Sequence, residues 1–253
     1  MDDSHFLSDK VSLVTGGSRG LGPEIVRALA SHGSKVAVNY FESVGDAHEL
    51  CRELSARGFQ VVPIQADVND VNKIRQLVSK AWDTLGPIDI LVNNIGPYVD
   101  TPFLDLAITD FDYIMATNVR ATYLISQLTG KLMKARGSGY VINIAATDSH
   151  YRSHSVYGLA KLGVVYLTEA MALELAPEVR MNAIAPDLIA DNQDMNSDFL
   201  QRSILATPMG QLVSRKEVAE MVCLLASESF NVVTGQTIVM DRGRSIHRIS
   251  FGK

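Results

Sequence analysis

The sequence predicts an α/β protein with one doubly wound parallel sheet of about seven strands, flanked by helices on both faces. Three observations carry this. Short β-branched runs alternate with longer amphipathic segments along the chain. The runs are nearly all apolar rather than alternating, as expected for strands buried on both faces. A glycine-rich turn follows the first run, where a strand would enter its first helix.

The elements follow in order. The run 11–15 (VSLVT) leads into a helical pattern at 22–32, with Pro23 in the helix's first turn, where a missing N–H costs nothing. Runs at 35–40 (KVAVNY), 60–64 (QVVPI) and 88–94 (IDILVNN) precede helical patterns at 44–57, 70–85 and 110–135. In the last of these, Phe111, Ile114, Met115, Val119, Tyr123 and Leu124 recur at three- and four-residue spacing. Then come 140–145 (YVINIA), a helix at 156–176, 180–185 (RMNAIA), a helix at 215–227 and 236–240 (QTIVM). Such alternation implies right-handed crossovers and a parallel sheet. The longest irregular stretch runs from about Pro186 to Pro208. Following the sixth strand, it should lie outside the carboxyl edge of the sheet, and it reads as a substrate-loop insertion at about 187–209. No linker, repeat or low-complexity tract interrupts the chain, so 1–253 reads as one domain.

Composition narrows the function. Hydrophobic residues make up 47% and charged residues 20%, enough for a sizeable core. The net charge of −5 provides no basic field for nucleic acid or an anionic membrane. The N-terminal MDDSHFLSDK is acidic and lacks an apolar run, and no stretch approaches the roughly 20 apolar residues of a membrane span. Cys51 and Cys223 stand far apart with neither CxxC nor metal-ligand spacing, which suggests a reducing compartment and the cytoplasm.

Gly16, Gly20 and Gly22 lie between the first strand and the first helix. Glycines there permit a tight turn and close backbone approach, while the helix N-terminus attracts a pyrophosphate. Tyr157 and Lys161 stand at i and i+4 on a predicted helix and share one face. A free tyrosine titrates near pH ~10, and a neighbouring ammonium favours the phenolate.

Thr15-Gly16-x-x-x-Gly20-x-Gly22 resembles the TGxxxGxG turn of the short-chain dehydrogenase/reductase family. Further matches run in family order: Asp67-Val68 resembles the pair after the third strand that meets the adenine, and Asn93-Asn94-Ile95-Gly96 resembles NNAG. Asn118 resembles the asparagine of the fourth helix, and Tyr157-x-x-x-Lys161 resembles the active-site pair. The resemblance branches toward the 3-oxoacyl-[acyl-carrier-protein] reductases through NYFES, TPMG and VTGQ, and spans about Asp9 to Gly243. It implies a Rossmann-type NAD(P)-binding fold. It implies too that Thr15, Gly16, Ser18, Arg19, Gly20, Leu21, Gly22, Asn39, Tyr40, Asp67, Val68, Asn94, Ile95, Gly96, Pro186 and Ile189 meet the cofactor along with Tyr157 and Lys161. Family members commonly form homo-oligomers, tetramers or dimers, through helices corresponding to 110–135 and 156–176.

The second strand ends in Asn39-Tyr40 with no carboxylate to bind a ribose 2′-hydroxyl, and Arg19 can face a 2′-phosphate with a planar guanidinium. NADP(H) is therefore favoured over NAD(H). At the chemical end the resemblance implies that Tyr157 donates a proton, Lys161 binds the nicotinamide ribose and Asn118 holds a relay water. The family's serine position falls on Ala146, leaving Thr147, Ser149 or a histidine, His150 or His154, to replace the hydroxyl. Pro186-Asp187 stands where the family has Pro-Gly, Asp191 where it has threonine, and Ile95 where it has alanine. The expected function is NADPH-dependent reduction of a ketone, with a 3-oxoacyl, polyketide-like or carrier-bound substrate. The alternatives are a redeployed dehydratase, isomerase or cyclase in biosynthesis, and a non-catalytic NADP(H) sensor.

Overall fold

The computed structural model describes residues 5–147, 155–190 and 197–246. Seven strands form one sheet in the order β3-β2-β1-β4-β5-β6-β7, every pair parallel. The strands are β1 (Val11–Val14), β2 (Lys35–Tyr40), β3 (Val61–Gln65), β4 (Ile90–Asn93), β5 (Gly139–Ile144), β6 (Val179–Pro186) and β7 (Thr237–Met240). The helices between them are α1 (Gly22–Ser31), α2 (Val44–Ala56), α3 (Val71–Leu85), α4 (Ile108–Met115), α5 (Ala121–Arg136), α6 (Val156–Leu175), α7 (Ser197–Ala206) and α8 (Arg215–Leu225).

Consecutive strand residues point to opposite faces, so the sheet feeds two cores. Val14, Val36 and Val38 pack with Ile25, Leu29, Leu54 and Val222 on one side. Leu13, Leu91 and Val141 pack with Ile74, Leu77 and Ile125 on the other. Helix starts are fixed by side chains: Asp70 Oδ1 accepts from the Asn72 and Lys73 amides at α3, and Ser214 and Glu217 form a reciprocal capping box at α8. Gly137, at φ 88°, ends α5 in the left-handed region.

The structure departs from the sequence reading in three places. The helix expected at 110–135 is α4 and α5 joined by a π-turn at Ala116–Arg120, where the Ala121 N–H reaches back to Ala116 O. The stretch read as irregular between Pro186 and Pro208 contains α7. And α6, with a mean hydropathy of 1.3, is long and apolar enough to cross a membrane by length and composition alone, though no such stretch was expected. It buries Val164, Thr168, Ala172 and Leu175, and its opposite side is notably apolar as well. Both thiols are buried: burial pushes Cys51 up to about 11 and raises Cys223 further, so neither is a nucleophile at neutral pH.

Candidate active site

The strand order reverses between β1 and β4, and the carboxyl ends of these two strands carry the glycine turn and the Asn94–Gly96 segment. Open α/β sheets bind ligands at such a switch point. Gly16 and Gly20 have φ of 59° and 61°, left-handed conformations that suit glycine. A Cβ at Gly22 would lie 2.2 Å from Gly16 O, so only glycine lets the helix start against the turn. A Cβ at Gly20 would meet nothing within 4 Å, which leaves that side of the turn open to a ligand at the N-terminus of α1. These features fit a dinucleotide pyrophosphate.

Thr15 locks the two loops together. Its Oγ1 accepts from the Asn94 amide at 3.0 Å, and Asn94 Nδ2 donates to Thr15 O and Gly16 O at 3.2 and 3.0 Å. Ile95 presses on the same turn, since a Cβ at Gly16 would fall 2.7 Å from its Cγ1. Ser18 Oγ and Ser43 Oγ are 2.6 Å apart, and Arg19 Nε donates to Asp46 Oδ2 at 2.7 Å with 70% of its side chain exposed. Asp67 Oδ1 accepts from the Asn69 amide, while the Leu21 and Val68 side chains are buried.

The chemical end gathers on α6 and the π-turn. Lys161 is only 2% exposed, its Nζ donates to Ile144 O at 2.8 Å, and it lies 5.4 Å from the Tyr157 ring centroid. Asn118, fully buried on the π-turn, donates through Nδ2 to Ile114 O, while its Oδ1 has no hydrogen-bond partner among the described residues. A Cβ at Gly96 would fall 2.5 Å from Lys161 Nζ and 2.8 Å from Asn118 Oδ1, so both polar groups converge on this glycine. Tyr98 meets the Tyr157 ring edge-on at 5.1 Å. A phenol, a buried ammonium and an acceptor unmet among the described residues thus lie together near the Asn94–Gly96 segment.

Proteins of known kind resemble this chain in sequence and fold. A family model described as enoyl-(acyl carrier protein) reductase matches residues 16–245. The 3-oxoacyl-[acyl-carrier-protein] reductase of Synechocystis is 35% identical over 94% of this chain and 97% of its own. A short-chain dehydrogenase/reductase from Serratia marcescens superposes with a TM-score of 0.89 at 32% identity, covering 95% of this chain and all of that one. A blue fluorescent protein from a metagenomic library, solved in complex with NADPH, does so with a TM-score of 0.86 at 31% identity, covering 94% and 98%. The chain belongs to the short-chain dehydrogenase/reductase family.

In this dehydrogenase/reductase several anticipated residues also hold structural partners. Asn39, expected to face the cofactor, is fully buried: its Oδ1 accepts from the Gly16 amide and its Nδ2 faces Tyr40 O, Ile64 O and Ala66 O. It braces the turn from behind because its amide is committed to the backbone. Tyr40 is likewise buried, with its hydroxyl 3.3 Å from His48 Nε2. Thr147, one candidate for the missing serine, donates its hydroxyl proton to Asp187 Oδ1 at 2.9 Å. A hydroxyl has one proton, so Thr147 cannot also donate to a substrate carbonyl while this bond stands. Pro186 closes β6, and Ile189 bridges to Val213. Ser149, His150, His154 and Asp191 lie outside the described residues.

Two partners escaped the sequence reading. Asp46 faces Arg19 from the first turn of α2, and Arg244 Nη1 donates to Asp187 Oδ2 at 3.1 Å. Neither sits in a local pattern. Asp46 is an ordinary acidic residue in a helix's first turn, and Arg244 lies 57 positions from its partner.

Proposed function

We propose that the protein is an NADPH-dependent reductase of ketones in which Tyr157 is the proton donor. The observation that carries this is the convergence of Tyr157, the buried Lys161 and the unmet Asn118 Oδ1 beside the open glycine turn. NADPH, when bound, supplies the hydride. Tyr157 gives its proton to the substrate oxygen, and the Lys161 ammonium stabilises the phenolate left behind. Asn118 Oδ1 accepts from a water in the relay that returns a proton, by way of Lys161, to the Tyr157 phenolate.

Cofactor choice rests on Arg19 and on the absence of a carboxylate at the end of β2, where Asn39 and Tyr40 are neutral and buried. The NADPH-bound relative and the acyl-carrier reductase relatives support the same choice. The substrate class that best suits these likenesses is a 3-oxoacyl or polyketide-like ketone, free or carrier-bound. In this reading Ala146 offers no hydroxyl to polarise the carbonyl, and that work falls to Tyr157 together with whichever of Ser149, His150 and His154 faces the substrate. The segment at about 187–209, with α7 inside it, serves in this reading as the substrate loop. The exposed apolar residues of α5 and α6 support a homo-oligomer, and the two buried thiols suit a cytoplasmic enzyme.

A second reading has two observations behind it. The Thr147–Asp187 bond and the alanine at 146 suit an acid–base reaction without net reduction, such as a dehydration or isomerisation. A product balance separates the two. Incubation with a panel of ketones should consume one NADPH for each alcohol formed, whereas product without NADPH loss would favour the second reading.

A further inference from the structure

Asp187 is a carboxylate at the carboxyl end of β6, on the edge of the sheet where open α/β folds take their ligands. The end of β5 lies beside it: Ile144 pairs with Ile184, and the Ile144 carbonyl holds Lys161. A negative charge here opposes a cofactor that brings a pyrophosphate of its own. The Asp187 side chain is only 8% exposed, so solvent screens it poorly.

The fold meets this charge with a turn just after β7. Asp241 caps the turn, its Oδ1 accepting from the Gly243 amide at 2.8 Å and its Oδ2 from the Ser245 amide at 2.6 Å. Arg242 and Gly243 are both left-handed, at φ 54° and 87°, and for arginine that conformation is strained. Arg242 is held there by Leu212 O and by its ion pair with Glu217. The product of this construction is the position of Arg244, whose Nη1 reaches Asp187 Oδ2 while Thr147 Oγ1 takes the other oxygen.

We propose that Arg244 is a positioning residue for the cofactor: by neutralising Asp187 it lets this edge of the sheet accept the nicotinamide half of the dinucleotide. The inference rests on the NADP(H) reading. Without Arg244, Asp187 keeps only the Thr147 hydroxyl among the described residues, and a carboxylate this little exposed without a cation both destabilises its surroundings and opposes the phosphate on the nicotinamide side of the dinucleotide.

Calorimetric titration of Arg244→Met, Arg244→Lys and the double variant Asp187→Asn/Arg244→Met, with NADPH and with adenosine 2′,5′-bisphosphate, tests this. Arg244→Met should weaken NADPH binding about tenfold or more and leave the bisphosphate, which lacks the nicotinamide half, within about twofold. Arg244→Lys should recover most of the loss, and removing the carboxylate in the double variant should recover it as well. If Arg244→Met does not fold, the double variant still decides: near wild-type NADPH affinity supports the pair. Wild-type NADPH affinity in Arg244→Met, an equal loss of both ligands, or a double variant as weak as the single one would overturn the proposal. Wild-type protein that binds NADH and not NADPH would overturn the cofactor reading alone, and the same variants are then compared with NADH and ADP.

Discussion

Ala146 and Thr147 stand just past Ala145 at the end of β5, both buried, and neither offers a hydroxyl proton to a substrate: one has none and the other gives its own to Asp187. Ala146→Ser therefore tests whether the site lacks only that group. Removing one donor for a developing oxyanion costs on the order of 10²-fold or more in rate. The expected outcome is a rise of at least about tenfold in ketone reduction, measured as NADPH oxidation. A fall instead would mean that the alanine belongs to the native chemistry. Among single residues, the Tyr157–Lys161 pair was legible because i and i+4 on a helix share a face. The Arg244–Asp187 pair was not, since no local periodicity records a partner 57 residues away. Asn39 was placed correctly at the end of its strand, but its inward turn depends on the carbonyls of a neighbouring strand and its following loop.

At the scale of elements, the strands were legible because both their faces are buried, which leaves nearly unbroken apolar runs. The π-turn at Ala116–Arg120 left no trace in the three- and four-residue spacing, yet it carries Asn118, and π-turns recur at functional positions. Helix α7 went unread because it buries only Ser203 and so lacks the apolar stripe that marks a packed helix. Helix α6 shows the opposite pattern. One side packs on the sheet, while Leu159, Leu162, Tyr166 and Leu173 remain exposed, with Tyr123 and Leu132 exposed on α5. Exposed apolar surface of this kind is what the proposed homo-oligomer would cover. Leu162→Glu with Tyr166→Glu should convert an oligomer to monomers in sedimentation velocity. An unchanged sedimentation coefficient would show that this face is not the contact.

Across the whole molecule, a single parallel sheet puts four of the anticipated segments at the carboxyl ends of its strands, while Tyr157, Lys161 and Asn118 come from α6 and the π-turn. β1 ends in the glycine turn, β4 in Asn94–Gly96, β5 in Ala145–Thr147 and β6 in Pro186–Asp187. That arrangement was legible because strand–helix alternation and the order of the motifs both depend on short-range pattern. The fine electrostatics were not, because they come from side chains that long crossovers bring together: Lys161 to Ile144 O, Thr147 to Asp187 and Arg244 to Asp187. The central claim is that these strand ends assemble a reductase in which Tyr157 delivers the proton. Tyr157→Phe removes that proton and leaves the ring that meets Tyr98. The measurement is single-turnover NADPH oxidation with a ketone substrate, beside the NADPH dissociation constant of the same variant. The expected result is an oxidation rate lowered at least about 10²-fold with affinity for NADPH within about twofold of wild type. A variant that oxidises NADPH at nearly the wild-type rate would contradict it.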